Sequence, residues 1–212
     1  MCPICKRFPE ATIHALWECG AAQDMWVGCS HHTLQKGLTN QETVMNLSWQ
    51  PPEGMMYKLN FDAAVLTDTS ASGVGVIIRN DRGQVMVALS SKGLAVTNSK
   101  EAEVLACRQA MEFVLDAGFS DLIMEGDDSN VIRSIVSAQI DWSHLGNLYD
   151  DIRCLAGRLR HVEFRGIRRI TNEVAHSLAR FARHLSEDIV WLEDSPPPAL
   201  EALYSDSISI AN

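Results

Sequence analysis

The chain has 212 residues, of which 46% are hydrophobic, and a formal net charge of −9. That length holds one ordinary domain plus a small module, and that hydrophobic share can fill a core. The acidic balance excludes a chain that is basic throughout but leaves room for a local basic stripe.

No basic segment followed by an apolar one opens the sequence, and no apolar run has the length to cross a bilayer. The expectation is an intracellular protein, nuclear or cytoplasmic, that is not secreted and has no membrane partner. Without a secretory signal, the six cysteines read as thiols or metal ligands rather than disulfides.

The first candidate ligands are Cys2, Cys5, His14 and Cys19, spaced C-x2-C-x8-H-x4-C. Three thiolates and an imidazole suit tetrahedral Zn²⁺, and the tight C-x2-C turn presents two sulfurs to one ion. Residues 1–30 are therefore expected to form a partial zinc-binding, knuckle-like segment whose folding free energy comes mainly from the metal. Trp17 and Trp26 would supply its apolar packing, and Cys29, His31 and His32 are alternative ligands. Residues 31–55, rich in Gln, Thr, Asn and Ser and closed by Pro51, Pro52 and Gly54, read as a linker.

A main domain is expected over residues 56–187. Its first strand, residues 58–65, alternates Leu59, Phe61, Ala63 and Val65 with Lys58, Asn60, Asp62 and Ala64. Asp62 inside it needs a solvated face or a partner. Two further strands, near residues 73–79 and 84–90, flank the turn Asn80-Asp81-Arg82-Gly83. Residues 98–117 carry helical spacing, with Asn98 as N-cap and Glu101 three residues on. Glu103, read alone, is an ordinary carboxylate of the first helical turns.

Residues 121–125 read as a buried strand ending in Gly126-Asp127-Asp128-Ser129. Asp128 and Ser129 are good caps for the next helix, whereas Asp127 sits at a strand's carboxyl end, where open α/β sheets place their chemistry. A helix near residues 146–157 and a strand over residues 161–164 follow. The last helix begins after Thr171 with Asn172 as its cap, and His176, Arg180 and Arg183 share its polar face. Residues 188–212 are acidic, without Lys or Arg, and are expected to form a mobile tail.

The motifs carry two resemblances. The N-terminal spacing, followed by Trp26, resembles the zinc-binding module of plant non-LTR retroelement reverse transcriptases. Residues 50–185 resemble the plant ribonuclease H-like domain found alone or fused to such enzymes. The matching pieces are Lys58-Leu59-Asn60-Phe61-Asp62, Ile78-Arg79-Asn80-Asp81-Arg82-Gly83, Ala102-Glu103 with Leu105-Ala106, Glu125-Gly126-Asp127, and residues 169–180 around Asn172 and His176.

This resemblance implies an α/β fold, a ribonuclease H-like mixed five-stranded sheet with flanking helices. It implies endonucleolytic cleavage of RNA in RNA–DNA hybrids with two divalent ions, Mg²⁺ or Mn²⁺. Asp62 would bridge the ions, Glu103 and Asp127 would hold one of them, and His176 stands fourth. The family usually has Asp at that position and Gly at that of Ala63, so weakened or metal-shifted activity is expected. Arg165, Arg168, Arg169, Arg180 and Arg183 form a basic stripe suited to phosphates of a hybrid or another nucleic acid. The alternative is a retroelement-derived domain that binds nucleic acid without cutting it.

Overall fold

The computed structural model describes residues 40–41, 48–66, 71–137, 139, 141 and 143–211. All of them lie in one compact unit, Gly37–Asn212. The four expected zinc ligands, Cys2, Cys5, His14 and Cys19, lie outside the described residues.

Among the described residues, seven strands make one mixed sheet. They are β1 (Asn40–Gln41), β2 (Tyr57–Leu66), β3 (Ala71–Arg79), β4 (Val85–Lys92), β5 (Asp121–Gly126), β6 (His161–Gly166) and β7 (Ile189–Leu192). The α-helices among the described residues are α1 (Ser99–Asp116), α2 (Ser129–Val136), α3 (Gly146–Ala156), α4 (Glu173–Phe181) and α5 (Leu200–Ala211). The sheet order is β1-β6-β5-β2-β3-β4-β7. β2, β3 and β4 form an antiparallel meander, β5 runs parallel to β2, and β6 runs parallel to β5. The five expected strands are all present; β1 and β7 extend the sheet at its two edges.

Local chemistry explains the first half of this layout. Asn80 Oδ1 accepts from the amides of Arg82 and Gln84, and Gly83 takes φ 74°, which closes the β3–β4 hairpin. Asn98 caps α1 by accepting from the Glu101 amide, while the Glu101 carboxylate turns back to the Thr97 amide and hydroxyl. This is a capping box shifted by one residue at its return bond. Asp128 caps α2 through the Asn130 and Val131 amides.

The alternation in β2 sorts its side chains between two layers. Leu59 and Phe61 join Val76, Ile78, Val104, Met111, Ile132 and Tyr149 in the larger core, under α1, α2 and α3. On the opposite face Ile77 and Ala88 pack with Val174 and Leu178 of α4 and with Ala199. The close approach of α4 rests on glycine. A Cβ on Gly75 would run into the Ala175 carbonyl oxygen and the Ala179 amide, and one on Gly73 into the Ala179 carbonyl oxygen.

Two segments depart from expectation. The expected mobile tail contains β7, which pairs antiparallel with β4, and α5. Within α5, Asp206 Oδ2 accepts from the Arg79 guanidinium at 2.7 Å, and Arg79 is 1% exposed. The acids of this stretch argued for solvation, but one of them is the counter-ion of a buried arginine. The end of the expected linker is likewise built in. Trp49 is buried, its Nε1 donates to Asn60 Oδ1 at 2.9 Å, and the Arg79 guanidinium stacks on its ring at 3.4 Å. No helix among the described residues is long and apolar enough to cross a membrane.

Candidate metal centre

Three elements bring three carboxylates together beside the middle of β2. Asp62 lies within β2 opposite Gly75 of β3, and is fully buried. Glu103 lies in the second turn of α1, which packs against β2. Asp127 follows the last residue of β5, whose Glu125 is in register with Asn60. Gly126 sets this last distance, because a Cβ there would meet the Phe61 ring at 2.6 Å. One oxygen from each of Asp62, Glu103 and Asp127 lies within 4.8 Å of the others.

This cluster lacks the donors that its two buried acids, Asp62 and Glu103, need. Asp62 Oδ1 and Glu103 Oε2 are buried with no hydrogen-bond partner. Glu103 Oε1 receives only the Ala63 amide, at 3.4 Å. Burial, then the neighbouring charges of Asp62 and Asp127, push the Glu103 carboxyl up to about 10. Burial and Asp62 also raise the pKa of Asp127, against the opposing pull of Arg169. Such a set is relieved by a proton or by a cation, and hard divalent ions take carboxylate oxygens. The donor set therefore fits Mg²⁺ or Mn²⁺.

His176 is placed beside this centre, but as a hydrogen-bond partner. Its Nδ1 lies 2.7 Å from Asp62 Oδ2. A carboxylate only accepts, so the proton belongs on Nδ1; Nε2 is then the acceptor for the Arg169 guanidinium at 3.0 Å. Arg169 also donates to Asp127 Oδ2 at 3.1 Å. Among the described residues, the group whose ligand atoms converge is made of the three carboxylates.

Asn172 has a role its sequence position did not show. Expected as the α4 cap, it makes no side-chain cap bond. Instead its Nδ2 donates to the Phe61 carbonyl at 2.9 Å, a buried bond that ties the start of α4 to β2 one residue from Asp62. The signal was an Asn in a helix-start pattern, which suggests an acceptor for backbone amides; only the fold makes it a donor to Phe61.

The expected basic stripe divides. Arg169, Arg180 and Arg183 line a groove of about 450 Å³ with Glu103, His176 and Ala64. Arg165 is held through two nitrogens by Glu163 and lines a separate cavity with Glu125 and Trp49. Arg168 is exposed at the turn before α4.

No curated protein matches the chain. Among solved structures, it is similar to ribonuclease H1 of the halophilic archaeon Halobacterium salinarum, at 25% identity and TM-score 0.53, over 61% of this chain and 98% of that one. The N-terminal ribonuclease H domain of rv2228c from Mycobacterium tuberculosis is similar at 18% identity and TM-score 0.54, over 62% of this chain and 95% of that one. LC11-RNase H1, solved in complex with an RNA/DNA hybrid, is similar at 18% identity and TM-score 0.53, over 59% and 95%. The family described as reverse transcriptase-like matches residues 60–182, more than half of the chain. The chain thus belongs to the reverse transcriptase-like family, and its folded unit is a ribonuclease H-like domain.

Proposed function

We propose that this protein cleaves the RNA strand of RNA–DNA hybrids in a reaction that depends on divalent metal. The observation that carries the reading is the convergence of the Asp62, Glu103 and Asp127 carboxylates, in which Asp62 Oδ1 and Glu103 Oε2 are buried without a donor. The halophilic archaeal ribonuclease H1 of the same fold supports it, as does the neighbour solved with an RNA/DNA hybrid. Asp62, Glu103 and Asp127 would hold the ion, with Asp62 shared by a second ion on the two-ion reading. Bound Mg²⁺ or Mn²⁺ would supply Lewis-acid stabilisation at the scissile phosphate and a water of lowered pKa.

The chain's own residues do the rest. Asn172 and the glycine-packed α4 hold His176 against Asp62, so that one carboxylate oxygen stays directed by a hydrogen bond. Arg180 and Arg183, exposed at the groove, meet the phosphate backbone. The small side chains of Ala63 and Ala64 leave that groove open beside Glu103. On the same reading, Cys2, Cys5, His14 and Cys19 would bind Zn²⁺.

A second reading, binding without cleavage, draws on one observation: both ring nitrogens of His176 are engaged. It predicts salt-sensitive hybrid binding that persists in Asp62→Asn with no cutting in either protein. A hybrid labelled on one strand at a time separates the two. The proposal expects the RNA strand alone to shorten, and only with Mg²⁺ or Mn²⁺. An intact RNA strand under both metals would rule it out.

A further inference from the structure

The two oxygens of Asp62 are in different states. Oδ1 is buried without a donor, as is Glu103 Oε2. Oδ2 is taken by His176 Nδ1 at 2.7 Å. Behind His176 stands Arg169, whose guanidinium donates to His176 Nε2 at 3.0 Å and to Asp127 Oδ2 at 3.1 Å. Asp62, His176, Arg169 and Asp127 therefore form a chain of contacts beside the carboxylate cluster, while Asp62 Oδ1 and Glu103 Oε2 stay without a donor.

We infer that Arg169 is a built-in cation on the second-ion side, so that the protein free of nucleic acid takes one divalent ion and admits a second only when a phosphate draws Arg169 away. This inference rests on the metal-centre reading above and adds a regulator of its occupancy.

Charge balance supports it. Three carboxylates are neutralised by one divalent ion and one guanidinium. A second divalent ion beside Arg169 would leave two surplus positive charges in a largely buried cluster, which is unfavourable at low effective dielectric. Nucleic acid removes the conflict in two ways. Its phosphates bring negative charge, and they offer the planar guanidinium a two-pronged partner in exchange for Asp127 and His176. Arg169 is free to make that exchange, since its side chain is 55% exposed whereas that of Asp127 is 9% exposed. It also lines the groove with Arg180 and Arg183, so the phosphate path runs past it.

The test is Mn²⁺ binding to the whole protein without nucleic acid, read by electron paramagnetic resonance of the free ion and by calorimetry. Wild type should take one ion at the carboxylate centre. Arg169→Ala should take two, or bind the first about tenfold more tightly. Arg169→Lys, which keeps the charge, should stay at one. Two ions on wild type, a second ion on Arg169→Lys, or an Arg169→Ala titration that superimposes on wild type would overturn the inference. Asp62→Asn separates the two levels: if binding is lost there and Arg169→Ala changes nothing, only the role of Arg169 fails. If binding survives Asp62→Asn, or wild type binds no ion, the metal-centre reading fails as well.

Discussion

Substituting Glu103→Gln should stabilise the metal-free protein near about pH 8 and leave it little changed near about pH 5. Glu103 is 8% exposed, and its pKa is pushed from 4.5 up to about 10, first by burial and then by Asp62 and Asp127. The folded chain therefore holds a proton that the unfolded chain releases across that interval. More protons bound in the folded state means that stability falls as pH rises, by up to about 1.4 kcal/mol per unit. From about pH 5 to pH 8 the limiting loss is roughly 4 kcal/mol, and local relaxation should reduce it to about 2 kcal/mol. For a chain of this size that is a melting-temperature gap of roughly 4–8 °C between the two proteins at the higher pH. Gln keeps the shape and carries no charge, so its share of the pH dependence vanishes. Thermal melts in excess chelator at both pH values measure the gap, and any metal lost from the N-terminal segment is lost equally by both proteins. Added Mn²⁺ should then raise the melting temperature of wild type more than that of the variant. Parallel pH profiles for the two proteins would refute the reasoning.

Three further outcomes follow from the geometry. Asp206→Ala leaves the buried Arg79 guanidinium without its counter-ion and should cost about 3 kcal/mol in urea unfolding; adding Arg79→Met should return part of it. A double variant less stable than Asp206→Ala alone would contradict this. Gly75→Ala forces α4 off the sheet and should cost roughly 2–3 kcal/mol, so wild-type melting would count against the glycine argument. In an Asp62→Asn background, Arg180→Ala and Arg183→Ala should each weaken hybrid binding and lower the salt slope by about 1, as fluorescence anisotropy would show. Arg165→Ala, whose guanidinium is held by Glu163, should leave the slope unchanged.

What could be read from the sequence was what local chemistry determines. The alternation of β2 around Asp62, the Asn80–Gly83 turn and the caps Asn98 and Asp128 involve residues within a few positions of one another. Asp62, Glu103 and Asp127 were singled out by their places in elements and by resemblance. That their oxygens converge, and lack donors, is visible only once β2, α1 and β5 are packed. The partners that residue type and spacing did not show share a cause. Asp206 finds Arg79 across 127 positions, Asn172 finds the Phe61 carbonyl across 111, and Arg169 finds Asp127 across 42. Residue type and spacing suggested solvation, capping and phosphate contact, respectively. Partners so distant in the chain are chosen by the fold. Trp49 was lost in a polar stretch for the same reason, since its partners Lys58, Asn60 and Arg79 lie on strands further along.

The central claim is that Asp62 anchors a centre that hydrolyses RNA in a hybrid. Its most direct test is the initial rate of cleavage of an RNA-labelled hybrid by wild type and by Asp62→Asn, purified in parallel and assayed in Mg²⁺ and in Mn²⁺. Asp62→Asn should lose at least about 100-fold with either metal, in line with removing a ligand that orients a catalytic ion. Equal rates for the two proteins would contradict it.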